Sequence, residues 1–258
     1  MPPKPPAQPK LTHFLCLPLI TPASRPRLQK SLGEFRQAVT NKSTLENPDG
    51  IPVVAIRPVG TLHLTLGVMS LLTTQDLEKA TACLELLDTK SLLQAFNKTT
   101  KDGSRGTGNS ESVDASRAPV ITLKGLENMH GQDPAATSVL YAPPEDESGA
   151  FQTFCQAVRD SFIKESLIVM PSRPLIVHAT IVNTAFVPIA RSSGRGSHGG
   201  MGSKFVVDAR VLLEEWRDFE WIKDLTIDRV AICLMGARKI EGAVDDEEYI
   251  EVKSVSLP

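Results

Sequence analysis

An excess of charge of either sign is absent from this sequence: 28 Lys and Arg stand against 30 Asp and Glu, for a formal net charge of −2. With a sequence pI near 6.2, there is no global basic field of the kind that holds long nucleic acid. Any nucleic-acid contact must be local. Long apolar runs are missing as well. None approaches the roughly 18 residues that a membrane span needs, and the first ten residues alternate Pro with Lys, Gln and Ala instead of forming a charged-then-apolar signal. An intracellular protein of the cytoplasm or nucleus, without a membrane partner, is expected. Cysteine is sparse and unpaired in pattern. Cys16, Cys83, Cys155 and Cys233 are far apart, sit among apolar residues and form no Cys-x-x-Cys unit, which predicts reduced core thiols instead of a disulfide framework or a zinc site.

What the chain does contain is enough length, 258 residues, for one large domain or two lobes with a sizeable core. Residues 1–10 read as an extended, disordered Pro-rich tail, and residues 11–258 as a single domain. A strand is predicted over 11–20. A helix follows from Ser24, with Leu28, Leu32, Phe35 and Val39 at helical spacing. Residues 52–57 read as extended, 61–71 as a strand, and Thr73 or Thr74 as the cap of a long helix carrying Leu77, Ala80, Leu84 and Leu87. The segment from Asn97 or Lys98 to Ala118 has no apolar period and reads as a flexible loop, as does 191–203. Between these loops the pattern gives strands at 120–126, 138–142 and 175–183, with a helix over 149–165 striped by Phe151, Phe154, Val158 and Phe162. A helix near 207–216 and a strand over 226–235 complete the domain.

Two of the predicted strands carry the same chemistry. Thr61-Leu62-His63-Leu64-Thr65-Leu66 and Val177-His178-Ala179-Thr180-Ile181 each place a histidine two residues before a threonine, inside β-branched and apolar sequence. Strand side chains alternate faces, so His and Thr share one face and the apolar residues the other. Each half of the chain puts a helix before its histidine strand, which points to an internal duplication with a cleft between the halves. Two imidazoles near neutrality can supply both a base and an acid, and two hydroxyls can donate to phosphate oxygens where charge accumulates. His63, Thr65, His178 and Thr180 are therefore the candidate catalytic residues. A metal centre is not expected, because two histidines without a third motif ligand fall short of ordinary zinc coordination.

With the blocks Thr12-His13-Phe14-Leu15, His63-Leu64-Thr65-Leu66-Gly67, 175–184 and Ile232-Cys233-Leu234-Met235-Gly236, the chain resembles the 2H phosphoesterase superfamily. The likeness is to the branch that contains the A-kinase-anchoring-protein RNA-ligase-like domain and the activating signal cointegrator 1 complex subunit 1. That resemblance implies a bilobed, pseudo-two-fold α+β fold with two antiparallel sheets flanking a central groove into which both histidines point. It also implies a metal- and cofactor-free activity on 2′,3′-cyclic phosphates, ADP-ribose-type cyclic phosphates or 2′–5′ linkages, with a nucleotide or RNA terminus as the groove's partner; a monomer is expected. Two other classes stay open: a non-catalytic nucleotide or RNA-end binding module, and an interaction subunit of an RNA- or transcription-related complex. Arg57, Lys124 and Arg173 are weaker candidates for holding phosphate. His13 reads as structural, His130 and His198 as solvated, and Asp245 to Glu248 as an exposed acidic turn.

Overall fold

The computed structural model describes residues 9–40, 47, 50–103, 117–170, 172–188, 205–242 and 246–258. The expected loop 191–203 and most of the expected tail lie outside the described residues. In chain order the elements are β1 (His13–Pro18), α1 (Arg25–Thr40), β2 (His63–Met69), α2 (Thr74–Glu85), α3 (Thr89–Gly103), β3 (Val120–Lys124), β4 (Glu127–Asn128) and β5 (Val139–Ala142). They continue with α4 (Ala150–Lys164), β6 (Ala179–Asn183), α5 (Arg210–Glu215), β7 (Glu220–Thr226), β8 (Arg229–Leu234), β9 (Arg238–Lys239), β10 (Glu247–Glu248) and β11 (Glu251–Ser256).

Seven strands form one sheet in the order β11-β8-β1-β2-β6-β5-β4, with antiparallel neighbours throughout. Its two halves, four strands and three, meet at β2 and β6 through a single residue pair, Leu64 with Ala179. The division does not follow the halves of the chain, since β8 and β11 from its C-terminal part flank β1 and β2, but the motif segments form the seam. Alternation divides the sheet's faces. Leu15, Leu17, Leu64, Leu66, Ala179, Ile181, Val230 and Ile232 are buried in the main core, which they share with the apolar stripes of α1 (Leu28, Leu32, Phe35, Val39) and α4 (Phe151, Phe154, Val158, Phe162). Phe14, Cys16, Ala231 and Cys233 form a separate small cluster on the other face, with Val68 and Tyr249 against it. One face is therefore sealed by helices, and the other presents polar residues. β3 and β7 form a separate ribbon, tied to the body by Trp221 Nε1 donating to the Gly125 carbonyl at 2.7 Å.

Several elements depart from the expected boundaries. The long helix after Thr73 is two helices. Thr73 does cap the first, accepting from Asp76 N while Asp76 accepts from Thr73 N in a reciprocal capping box. Asp88 Oδ1 then accepts from Ser91 N and starts α3, which continues to Gly103 through residues expected to be loop. Leu92, Leu93 and Phe96 supply the apolar anchor, with the Phe96 ring 6.0 Å from Phe154 of α4. Once α3 is anchored, its polar end continues helically, since Asn, Lys and Thr lower helix propensity only slightly. Residues 52–57 contain a 3-10 turn at Val53–Ala55, after which Ile56 bridges to Val182. The strand expected over 226–235 is β8, preceded by an unpredicted strand, β7.

Candidate active site

Antiparallel register does the positioning. With Leu64 opposite Ala179, extending the antiparallel register by one residue either way sets His63 against Thr180 and Thr65 against His178, which immediately precedes β6, so the four motif side chains belong to the sheet face turned away from the main core. Directly opposite Cβ atoms in such a pair lie roughly 4.5–5.5 Å apart. The two imidazoles are near enough for a charge on His178 to disfavour protonation of His63.

Both histidines are oriented by the same local device. His63 Nδ1 donates to the Thr61 carbonyl at 2.7 Å, and His178 Nδ1 donates to the Ile176 carbonyl at 2.7 Å. A carbonyl oxygen only accepts, so each Nδ1 carries the hydrogen, and each neutral ring offers an Nε2 lone pair. The copies differ at the threonine. Thr65 Oγ1 lies 2.9 Å from His63 Nε2 and donates to it while that ring is neutral. Thr180 makes no such bond to His178 among the described residues; its opposite neighbours are Tyr141 and, by register, His63. The expectation that each imidazole stands beside its own threonine thus holds for the first copy. In the second, extension of the register sets Thr65 of the first copy against His178.

Aromatic rings brace both histidines. His63 packs tilted against Phe14 at 4.8 Å and edge-on against Tyr249 at 5.2 Å between ring centroids. Tyr141 meets His178 at 5.1 Å, while its hydroxyl donates to Glu127 Oε2 at 2.7 Å. The chain has only two tyrosines, and each sits on one of the two histidines. Burial pushes His63 down to about 4, further lowered by His178 and Arg57 and opposed by the Thr61 carbonyl bond. His178 is lowered by burial as well, against the bond to Ile176. Both imidazoles are therefore neutral at pH 7 in the free protein.

Two cavities are lined by motif residues, one histidine in each, and Thr180 lines neither of them. One, of about 580 Å³, is lined by His63 together with Phe14, Cys16, Tyr249, Arg25 and Arg229. The other, of about 750 Å³, is lined by Thr65 and His178 with Met129, His130, Arg159 and Arg173. Of the weaker candidates, Arg173 reaches the second cavity, and its carbonyl accepts from Arg159 Nη2 at 2.8 Å. Arg57 is 6% exposed, with its guanidinium 3.9 Å over the Phe186 ring and 3.5 Å from the Tyr249 hydroxyl; it has no carboxylate partner among the described residues. Lys124 is not brought to the groove. It lies on the β3–β7 ribbon, 3.7 Å from Glu145 and 3.6 Å from Asp218.

Other expectations change in detail. His13 is buried, its Nδ1 2.9 Å from Thr12 Oγ1, in keeping with a structural role. His130 is exposed yet lines the second cavity, and His198 lies outside the described residues. The acidic segment is not simply an exposed turn. Asp246 Oδ2 accepts from Arg25 at 2.6 Å and its Oδ1 from Gly60 N at 2.9 Å, which straps residues 246–251 along the first cavity. The approach is close enough that a Cβ on Gly60 would lie 2.3 Å from the Glu247 carbonyl oxygen. Tyr249, Tyr141, Glu127 and Arg159 were not anticipated as site residues. Tyrosine scarcity was the available signal for the first two. Among the described residues, no three His, Cys, Asp or Glu side chains group as metal ligands.

An α+β fold whose antiparallel sheet sets two His-x-Thr strands side by side defines the 2H phosphoesterase class. Over residues 11–244 the chain matches the AKAP7 2'5' RNA ligase-like domain, and it belongs to that family. It is 23% identical over 244 residues to an uncharacterized protein of Schizosaccharomyces pombe, covering 95% of each chain. It is also 23% identical over 216 residues to activating signal cointegrator 1 complex subunit 1 of Mus musculus, covering 81% of this chain and 54% of that one. Among solved structures it is similar to E. coli LigT complexed with 3'-AMP, at TM-score 0.47 and 15% identity over 96% of this chain and 98% of that one. It is also similar to Usb1 of Kluyveromyces marxianus, at TM-score 0.38 and 11% identity over 96% and 97% of the two chains.

Proposed function

We propose that this protein is a metal-independent phosphodiesterase acting on a 2′,3′-cyclic phosphate or a 2′–5′ linked nucleotide or RNA end. The observation that carries the reading is the matched pair of imidazoles: each Nδ1 is fixed on a backbone carbonyl two residues upstream, and both rings stand on one sheet face. Hydrolysis needs one ring to take a proton from water and the other to give one to the departing ribose oxygen. Since both are neutral when the groove is empty, the acid must be charged on binding. A phosphate anion between the rings does this, favouring an imidazolium by the same Coulomb attraction that the free site lacks. Thr65 and Thr180 donate to the non-bridging oxygens, and Arg173, which lines the His178 cavity, and Arg57, whose charge acts on His63, add cationic character.

The test is a panel of 2′,3′-cyclic nucleotides, 2′–5′ oligoadenylates and RNA with a cyclic end, assayed with chelator present. Turnover of at least one substrate that survives the chelator is expected. Binding without turnover across the panel would place the chain among nucleotide-binding modules instead.

A further inference from the structure

Beside His63 lies a second reactive pair with no part in that chemistry. Cys16 of β1 and Cys233 of β8 hold their Sγ atoms 3.7 Å apart. The β1–β8 register sets Cys16 against Ala231 and Phe14 against Cys233, so the thiols are diagonal neighbours on one face of adjacent antiparallel strands. They are 1% and 5% exposed, and both line the 580 Å³ cavity beside His63. Cys155 is fully buried in the main core, Cys83 sits on α2, and neither lines that cavity.

We propose that Cys16 and Cys233 form a dithiol modification site, which hydrogen peroxide converts to an intramolecular disulfide. Cys233, the more open of the two, attacks first. Its sulfur forms a bond to one peroxide oxygen as the O–O bond breaks, and the departing hydroxide takes up the thiol proton as water. Cys16 then attacks the resulting sulfenic sulfur and displaces hydroxide, which leaves as a second water with the Cys16 proton. In sum, two thiols and one peroxide give one disulfide and two waters. The order fits the surroundings of Cys16, whose thiol is pushed up by burial and by its neighbour and is the poorer first nucleophile. Phe14, opposite Cys233, is the ring packed on His63, so the bond forms in the wall of the imidazole cavity.

The test uses the whole chain, reduced, desalted and exposed to limiting peroxide, then unfolded in alkylating reagent and mapped by mass without reductant. Expected are a mass lower by two hydrogens, a crosslink between the Cys16 and Cys233 peptides, alkylation of Cys83 and Cys155, and full reversal by dithiothreitol. Four alkylated thiols after treatment, oxygen adducts without the loss of two hydrogens, or a crosslink through Cys83 or Cys155 would each overturn the proposal. In Cys16→Ser, Cys233 is expected to stop as a sulfenic acid that dimedone captures. Capture at Cys16 in Cys233→Ser would overturn the order of attack. The wild-type measurement stands even where a variant fails to fold, and it reads the thiols independently of any phosphodiesterase activity.

Discussion

His63 and His178 share a backbone anchor but differ in their hydroxyl partner, and that difference orders the expected effects of substitution. His63→Gln and His178→Gln should each lower kcat by about a hundred- to ten-thousand-fold, the usual range for a general acid or base. The double variant should be little worse than either single one, because groups acting in one step are strongly non-additive. The threonines should not be equivalent. Thr65 holds His63 Nε2 and, by register, faces His178, whereas Thr180 makes no hydrogen bond to its own histidine. Thr65→Val should therefore lose more turnover than Thr180→Val, measured as kcat at saturating substrate; equal losses would argue for two symmetric hydroxyl roles. The His-x-Thr pattern made these four residues legible in the sequence. Their cross-strand pairing was not, because register is a tertiary property that spacing along the chain does not encode.

At the scale of elements, what the sequence hid was polar or split. Runs of β-branched and apolar residues marked the strands that overlap β1, β2 and β6, and the apolar stripes located α1, α2 and α4. The stripe also ran on across the break at Leu86–Asp88, which concealed the start of α3, and the polar composition of 97–103 concealed its end. The acidic segment read as solvated because charge runs usually are, and nothing local reveals that Arg25, far away in sequence, reaches Asp246. That strap gives a second expected outcome. Asp246→Ala removes the Arg25 ion pair and the bond from Gly60 N, so it should cost about 1–3 kcal/mol of stability. It should also raise KM, because Tyr249 and Ile250 of the strap line the first cavity. Thr73→Ala is the control. Loss of the α2 cap should cost about 1 kcal/mol without moving KM, so denaturant midpoints paired with KM separate a general loosening from a displaced strap.

For the whole molecule, keeping two neutral imidazoles on one sheet face has a thermodynamic consequence. Protonating His63 in the folded state is disfavoured down to about pH 4, whereas the unfolded chain takes up that proton near the ordinary value of 6.5. Between these values the unfolded state binds more protons than the folded one. Stability therefore rises with pH across that window and is lost as pH falls through it. For His63 alone the interval corresponds to roughly 3 kcal/mol at about 1.4 kcal/mol per pH unit, and His178, lowered in the same direction, adds to it. The carboxylates Asp76, Asp88 and Asp208 are held below their ordinary 3.8, so their acid-dependent loss falls beneath this window and does not mask it. Urea midpoints measured from pH 7.5 to 4.5 should hold nearly level to about pH 6.5 and then fall for the wild-type chain. His63→Gln, whose side chain does not titrate, should show a shallower fall; an unchanged slope in that variant would mean that His63 is not held neutral. Inorganic phosphate in the groove should flatten the wild-type slope too, since an anion that favours the imidazolium raises the folded-state value toward the unfolded one and closes the interval from below.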